Sequence, residues 1–235
     1  MEDLKLVLTG IVTHCCDVKT FRFRLKKEVT FKPGQYLILT LNISGKDTLK
    51  AFSISSSPTE KGFIQFTKKL TNSDFSNALN KLIIGEEYSM RLPMGKFIFD
   101  GQFPKAAFLS GGIGITPIRS IFQYAVDKQL SFSLVLLYSG RTPEYLIFKN
   151  DFSLMSEKNK NLKVVYTLTN CDQIVADCRV GYIDEEMVKT EIPDHKERVF
   201  FICGPPGMVD GMRAMLLNKL SIPPGQIITE DFLGY

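Results

Sequence analysis

Residues 110–117 read Ser110-Gly111-Gly112-Ile113-Gly114-Ile115-Thr116-Pro117, between an apolar run, Ala106 to Ser110, and a helical pattern from about Pro117 to Lys128. A strand that turns through glycines into a helix leaves free N–H groups at the helix start. Those groups attract phosphate, and the missing side chains let a ligand approach the backbone. Pro117 suits the first helical turn, where its absent N–H is not needed. The third glycine of the usual Gly-x-Gly-x-x-Gly fingerprint is absent, so a plain tight turn explains the stretch equally well in isolation. The alternation beyond it decides the fold. Strands at Phe132 to Tyr138, Leu162 to Leu168, Val199 to Cys203 and Ile227 alternate with helices around Leu146 to Met155, Asp184 to Lys189 and Met208 to Leu220. This order predicts a Rossmann-like α/β domain, a parallel sheet with helices on both faces and ligands at the carboxyl ends of its strands.

Upstream the period changes. Thr20-Phe21-Arg22-Phe23-Arg24-Leu25-Lys26 alternates strictly, which turns Phe21, Phe23 and Leu25 to a core and Arg22, Arg24 and Lys26 to water. Strand-like runs at Leu4 to Val12, Tyr36 to Leu41, Ala51 to Ile54, Phe63 to Thr67 and Tyr88 to Leu92 are separated by turn signals such as Pro33-Gly34 and Ser44-Gly45. One helix, Ser76 to Leu82, interrupts them, with Ser76 read as its N-cap. The expected fold is a six-stranded antiparallel Greek-key β-barrel with one helix over residues 1–101, followed by the α/β domain over residues 102–235.

Composition agrees with two small folded domains, since 235 residues with 44% hydrophobic and 23% charged content suffice for a core in each. Net charge is only +4, too little to argue for nucleic acid, but it is unevenly placed. Residues 1–100 carry 15 Lys+Arg against 10 Asp+Glu, and the remainder carry 14 against 15. No run reaches the roughly 20 apolar residues of a membrane span, and the acidic start Met1-Glu2-Asp3 is unlike a signal peptide, so a cytoplasmic protein is expected. Cysteines at 15, 16, 171, 178 and 203 fit neither a disulfide framework nor the spacing of zinc or iron–sulfur sites. No metal is expected.

Two further segments carry chemistry. Cys203-Gly204-Pro205-Pro206-Gly207-Met208 leads from a strand end into a helix with little backbone freedom, which holds Cys203 in place. In isolation such a cysteine is also an ordinary small buried hydrophobe. Lys50-Ala51-Phe52-Ser53 places a cation, an aromatic ring and a hydroxyl within four residues, and on a strand Lys50 and Phe52 share a face.

Taken together these three segments resemble the ferredoxin-NADP reductase family of flavoenzymes over nearly the whole chain. Lys50 to Ser53 is similar to the family's Arg-x-Tyr-Ser, Gly111 to Pro117 to its Gly-Gly-x-Gly-x-Thr-Pro, and Cys203 to Met208 to its Cys-Gly-Pro-x-x-Met. Pro33-Gly34-Gln35 and Pro93 to Phe97 are smaller echoes. The resemblance implies an FAD or, less readily, FMN cofactor and NAD(P)H as donor. It puts Phe52 against the isoalloxazine, Ser53 near the reactive N5, Lys50 and Ser76 on flavin phosphate, and Ala51, Thr67 and Lys68 beside the ring. Thr116 and Cys203 would flank the nicotinamide, with Ser53 the three catalytic candidates. Gly111, Gly112 and Gly114 would lie on the pyrophosphate, with Gly204, Pro205 and Met208 completing the nucleotide site. Lysine for arginine at 50, phenylalanine for tyrosine at 52, and Ser73-Asp74-Phe75 in place of a glycine loop depart from the pattern. Tyr235 at the end of the chain is either a cover for the flavin or an exposed terminus. Glu230 resembles the family's late acid loosely.

After the second strand of the α/β domain stand Ser139, Gly140 and Arg141, with no acid until Glu144. An arginine here accepts a ribose 2′-phosphate, so the reading leans to NADPH through Ser139 and Arg141. Length leaves no room for a fused cluster domain, so the expected electron acceptor is separate: an acidic ferredoxin-like protein docking on Arg22, Arg24 and Lys26, an oxygenase component, or a small molecule such as free flavin. The same basic residues also read as the solvated face of an edge strand. A nucleotide-responsive regulatory subunit without catalysis is the alternative in a different class.

Overall fold

The computed structural model describes residues 2–171 and 175–232, and these form two compact units. The first comprises Met1–Asp100 with Thr116–Tyr124; the second comprises Gly101–Ile115 with Ala125–Tyr235. Tyr235 lies outside the described residues.

The first unit is built on β1 (Glu2–Cys15), β2 (Val18–Arg24), β3 (Tyr36–Ile43), β4 (Lys46–Ser53), β5 (Phe63–Lys69), α1 (Asp74–Asn80) and β6 (Glu87–Met94). All strand pairs are antiparallel, in the order β4-β3-β6-β1-β2-β5. An isolated antiparallel bridge from Ile54 to Phe66 ties the chain just past β4 to β5, so the two edges of the sheet are drawn toward closure. The alternation in β2 holds: Phe21 and Phe23 are fully buried, and Arg22 and Arg24 are exposed. Phe66 stacks on Phe21, Phe23 and Phe52, and these rings with Leu6, Leu8, Leu37, Leu39 and Leu92 make the barrel core.

Two expectations are corrected here. β2 is not an edge strand, because it is hydrogen-bonded to β1 on one side and β5 on the other. The N-cap of α1 is Ser73 and not Ser76. Ser73 has extended backbone and its side chain accepts from the Ser76 N–H, which puts Ser76 inside the first turn behind Asp74.

The second unit carries β7 (Lys105–Gly111), β8 (Ser133–Gly140), α3 (Lys149–Lys158), β9 (Leu162–Leu168), β10 (Cys178–Val180), α4 (Glu185–Glu191), β11 (Val199–Gly204), α5 (Pro206–Asn218) and β12 (Ile227–Asp231). Its strands are all parallel, in the order β10-β9-β8-β7-β11-β12. α2 (Ile115–Asp127) follows the glycine turn; its buried Ile115, Ile118, Phe122 and Ala125 recur at helical spacing. The central strands are buried on both faces. Ala107 and Leu109 pack with Val209, Met212 and Leu216, while Phe108 stacks on Phe201 with centroids 5.0 Å apart.

The three-residue β10 has no apolar alternation to announce it and exists through its pairing with β9. α3 starts later than the periodicity suggested, because Pro143-Glu144-Tyr145 forms its own short turn and Phe148 takes a left-handed φ of 63°. Among the described residues no helix is long and apolar enough to cross a membrane, and no group of three or more His, Cys, Asp or Glu could hold a metal ion.

Candidate functional site

In parallel strands, residues in register point to the same side of the sheet. At the carboxyl edge of the second unit, Ser110 on β7 is in register with Cys203 on β11, which is in register with Glu230 on β12. Ser110 and Cys203 are fully buried. Ser110 Oγ and Glu230 Oε2 are also buried and have no hydrogen-bond partner. A folded protein rarely leaves such atoms unmet, because each forfeits about 1–3 kcal/mol of desolvation. Burial raises the Glu230 carboxyl to about 7. Burial, and then the charges of Glu230 and Asp231, push the Cys203 thiol well above its ordinary value, so at neutral pH it is a neutral thiol and not a nucleophilic thiolate.

The glycine turn closes on this row. A Cβ on Gly114 would lie 2.2 Å from the Cys203 carbonyl oxygen, and one on Gly111 would lie 2.2 Å from Met208 Sδ. Met208 also occupies the space beside Gly204, where a Cβ would meet its Cε at 2.4 Å. Backbone packing therefore accounts for Gly114, whereas at Gly111 the neighbour is the flexible Met208 side chain. Gly112 differs: its φ is +53° and a Cβ there would meet nothing within 4 Å, so it faces open space in a left-handed conformation. The buried Tyr138 fixes the turn, its hydroxyl lying 3.2 Å from the Gly112 carbonyl oxygen and 3.0 Å from that of Tyr145, to which it donates. Pro205 caps α5 and Pro206 opens it. Ser139 is in register with Gly111 at the same edge, and Arg141 beyond it is exposed.

In the first unit, Lys50 and Ala51 are exposed near the end of β4, and Phe52 and Ser53 are buried. The Phe52 ring is already stacked on Phe66 at 4.5 Å and faces Phe75, tilted, at 5.9 Å. It is thus a core residue as well as a candidate flavin contact. Lys68 is buried on β5, and its ammonium is pulled down to about 8, first by burial and then by the neighbouring charge of Lys50. Two ammonium groups in that relation are a donor set that a phosphate anion would neutralise, which fits the acidic end of a flavin nucleotide. Thr67 turns its hydroxyl into the barrel, 2.6 Å from Thr20 Oγ1 and 3.1 Å from Ser55 Oγ.

Ser76 is buried, and its hydroxyl accepts from the Thr71 N–H at 3.1 Å and lies 3.2 Å from Ser73 Oγ. Its capacity is taken up within its own loop, and Asp74 beside it is acidic. Thr116 is buried in the first turn of α2. Arg22 is held to Gln65 at 3.0 and 3.1 Å and lies over the Phe63 ring at 4.3 Å, and Lys26 is paired with Glu87.

Sequence reasoning did not single out Ser110, nor Tyr138 as the brace of the turn, and it gave Glu230 little weight. The signal was available only in combination. Three parallel strands in known order put their last polar residues side by side, but register is set by the sheet and not by any one segment.

Comparison with known proteins matches the chain to two family models in sequence. The model of the oxidoreductase FAD-binding domain matches residues 5–99, and that of the oxidoreductase NAD-binding domain matches residues 108–214. The chain is 30% identical over 213 residues to the glycine betaine monooxygenase reductase subunit of Pseudomonas aeruginosa, with 88% of this chain and 58% of that protein covered. It is 29% identical over 233 residues to NADH-cytochrome b5 reductase 1 of Mortierella alpina, with 91% and 76% covered. The crystal structure of a ferredoxin NADP+ reductase from Neisseria gonorrhoeae with bound FAD and NADP superposes with a TM-score of 0.82 at 22% identity, over 98% of this chain and 99% of that one. The chain thus spans a little under three-fifths of the length of the betaine monooxygenase reductase subunit it matches.

Proposed function

The chain belongs to the ferredoxin-NADP reductase-like family of flavin oxidoreductases, an FAD-binding domain followed by an NAD-binding one, and from that premise we propose that it is an NAD(P)H-dependent reductase serving a separate electron acceptor. The observation that carries the proposal is the row Ser110, Cys203 and Glu230, where two buried oxygens lack partners at the strand edge beside the glycine turn. A nicotinamide carboxamide supplies a donor and an acceptor for such a row. Flavin, when bound, supplies the redox chemistry, taking a hydride equivalent and releasing electrons to an acceptor.

The chain's own part is to bind and to orient. Lys50 and Lys68 hold flavin phosphate, Phe52 gives an apolar wall, and Ala51, Ser53 and Thr67 border the ring. Ser76 is assigned the phosphate end through its loop. Gly112, at the open face of the turn, takes the pyrophosphate of the dinucleotide, with Gly111, Gly114, Gly204, Pro205 and Met208 shaping the walls. Thr116 and Cys203 bound the nicotinamide, and the neutral Cys203 thiol serves as a steric and polar guide without forming a covalent bond. We assign residues 1–101 to flavin and 102–235 to nucleotide.

NADPH is the favoured donor, through Ser139 and Arg141. If Arg141→Ala leaves the ratio of kcat/KM for NADPH and NADH unchanged, that assignment is wrong. The acceptor is an acidic redox protein or an oxygenase component in the cytoplasm. Docking on Arg22, Arg24 and Lys26 predicts transfer that weakens with salt and is lost on triple charge reversal; salt-independent transfer removes that face from consideration. Asp74 and the internally bonded Ser76 favour a second reading, in which flavin is loosely held and exchanges as a substrate. The purified protein decides between these. A yellow protein that bleaches anaerobically with NAD(P)H and keeps its colour through gel filtration supports the reductase; colour lost on filtration supports the free-flavin reading. A protein that takes up no flavin is a regulatory subunit.

A further inference from the structure

We propose that Arg119, on α2, is a positioning residue that clamps the serine loop behind Ser53 and so sets where Ser53 stands; this rests on the reductase reading above. Arg119 is buried. Its guanidinium donates to the Ser55 carbonyl oxygen at 2.8 Å and to both carboxylate oxygens of Glu60, at 2.8 and 3.2 Å. Glu60 in turn accepts the Ser57 N–H at 2.7 Å, and the next helix residue, Ser120, donates its hydroxyl to the Ser56 carbonyl oxygen at 2.7 Å. From the other side, Ser55 N–H donates to the Gln65 carbonyl oxygen at 2.8 Å and Gln65 N–H donates to Ser56 Oγ at 3.0 Å. Ile54 is held by Gln35 and by its bridge to Phe66. Each residue from Ser53 to Ser57 is therefore pinned, and both ends of the clamp lie in one compact unit.

An apolar side chain at this buried position would avoid the desolvation cost of a guanidinium. It would leave the Ser55 carbonyl and Glu60 without this donor. A planar fork that meets a carbonyl and a carboxylate together fixes direction as well as distance, which a loop needs when it presents a group to a cofactor. In the chain, Arg119 stands one turn into the helix that follows the glycine turn.

The test uses the flavin-loaded full chain and Arg119→Lys, which keeps the charge but replaces the fork with a point donor, and Glu60→Gln as a milder second variant. We expect amide hydrogens of residues 55–57 to exchange at least about ten-fold faster and the visible circular dichroism of bound flavin to change. The limiting rate of flavin reduction should fall about ten-fold, with nucleotide affinity within about two-fold of wild type, since small misplacements at a reacting centre cost rate more than binding. A variant with wild-type dichroism and limiting rate overturns the proposal. So does a lower rate that excess flavin restores, because the loop would then serve retention alone. A wild-type chain that takes up no flavin overturns the reductase reading, and this inference falls with it.

Discussion

Inside the antiparallel barrel a hydrogen-bonded chain runs from His14 Nε2 to Thr20, on to Thr67 and then to Ser55, with separations of 2.7, 2.6 and 3.1 Å, and the Ser55 hydroxyl donates to the Gln65 carbonyl oxygen at 3.3 Å. At the edge of the parallel sheet, by contrast, Ser110 Oγ and Glu230 Oε2 are buried with no partner. Both regions bury polar groups among apolar ones, but the barrel satisfies its own and the sheet edge does not. On the reductase reading proposed above, the difference separates polar residues that specify a structure from polar residues kept for a bound nucleotide. Ser156 Oγ on α3 is also unmet, and nothing in the structure explains it.

The largest effect should come from closing the sheet edge from within. Gly114→Ala would put a Cβ 2.2 Å from the Cys203 carbonyl oxygen, which is backbone and has no rotamer to yield. We expect a loss of about 2–3 kcal/mol in thermal or urea unfolding and nucleotide binding weakened beyond detection by titration. Gly62, in the barrel unit, has φ +85° with open space around its Cβ position, so Gly62→Ala should cost only about 1 kcal/mol and leave nucleotide binding intact. Equal effects of the two would erase the contrast between the regions.

Glu230 sharpens the same contrast through pH. Its folded value near 7 lies above the ordinary 4.5, so the folded state holds a proton that the unfolded state has released. The associated stability is complete below about 4.5 and is lost as pH rises to 7, up to about 3 kcal/mol. Glu230→Gln should therefore gain on the wild type as pH rises from 5 to 8, read as a widening difference in Tm. Parallel Tm curves would mean that the carboxyl is solvated. In the barrel, Thr20→Val breaks the hydroxyl chain at its middle and leaves His14 and Thr67 each short of a partner. A destabilisation of about 1–3 kcal/mol is expected, with nucleotide affinity unchanged.

Much of this was legible in the sequence, for reasons that differ by element. The alternation of Phe21 and Phe23 with Arg22 and Arg24 marks a strand because a pleat has a period of two, whatever pairs with it. Ser110 to Pro117 marks a strand-turn-helix because glycine and proline restrict the backbone locally. The cap of α1 was misread because both Ser73 and Ser76 are capping residues, and only the extended backbone at Ser73 chooses between them. β10 and the inner position of β2 are properties of pairing, which no single segment carries. The same holds for the site. Cys203 was visible as a strand-end cysteine, but its flanking by Ser110 and Glu230 follows from register across three strands far apart in the chain.

The smallest effect is the most discriminating because its sign is at stake. Ser110→Ala removes a buried oxygen that bonds to nothing, and an unpaired polar group is a liability that an equally small apolar side chain lacks. Stability should stay level or rise by less than about 1 kcal/mol, in contrast to Thr20→Val in the barrel. Affinity for oxidised nicotinamide dinucleotide, measured by calorimetry so that no flavin chemistry is involved, should drop about ten-fold, as expected for one lost hydrogen bond to a ligand. A serine kept at a cost in the free protein and repaid on binding has a ligand role. Were Ser110→Ala to destabilise the chain and leave affinity untouched, the hydroxyl would have a partner in the folded protein, and the sheet edge would be as self-contained as the barrel.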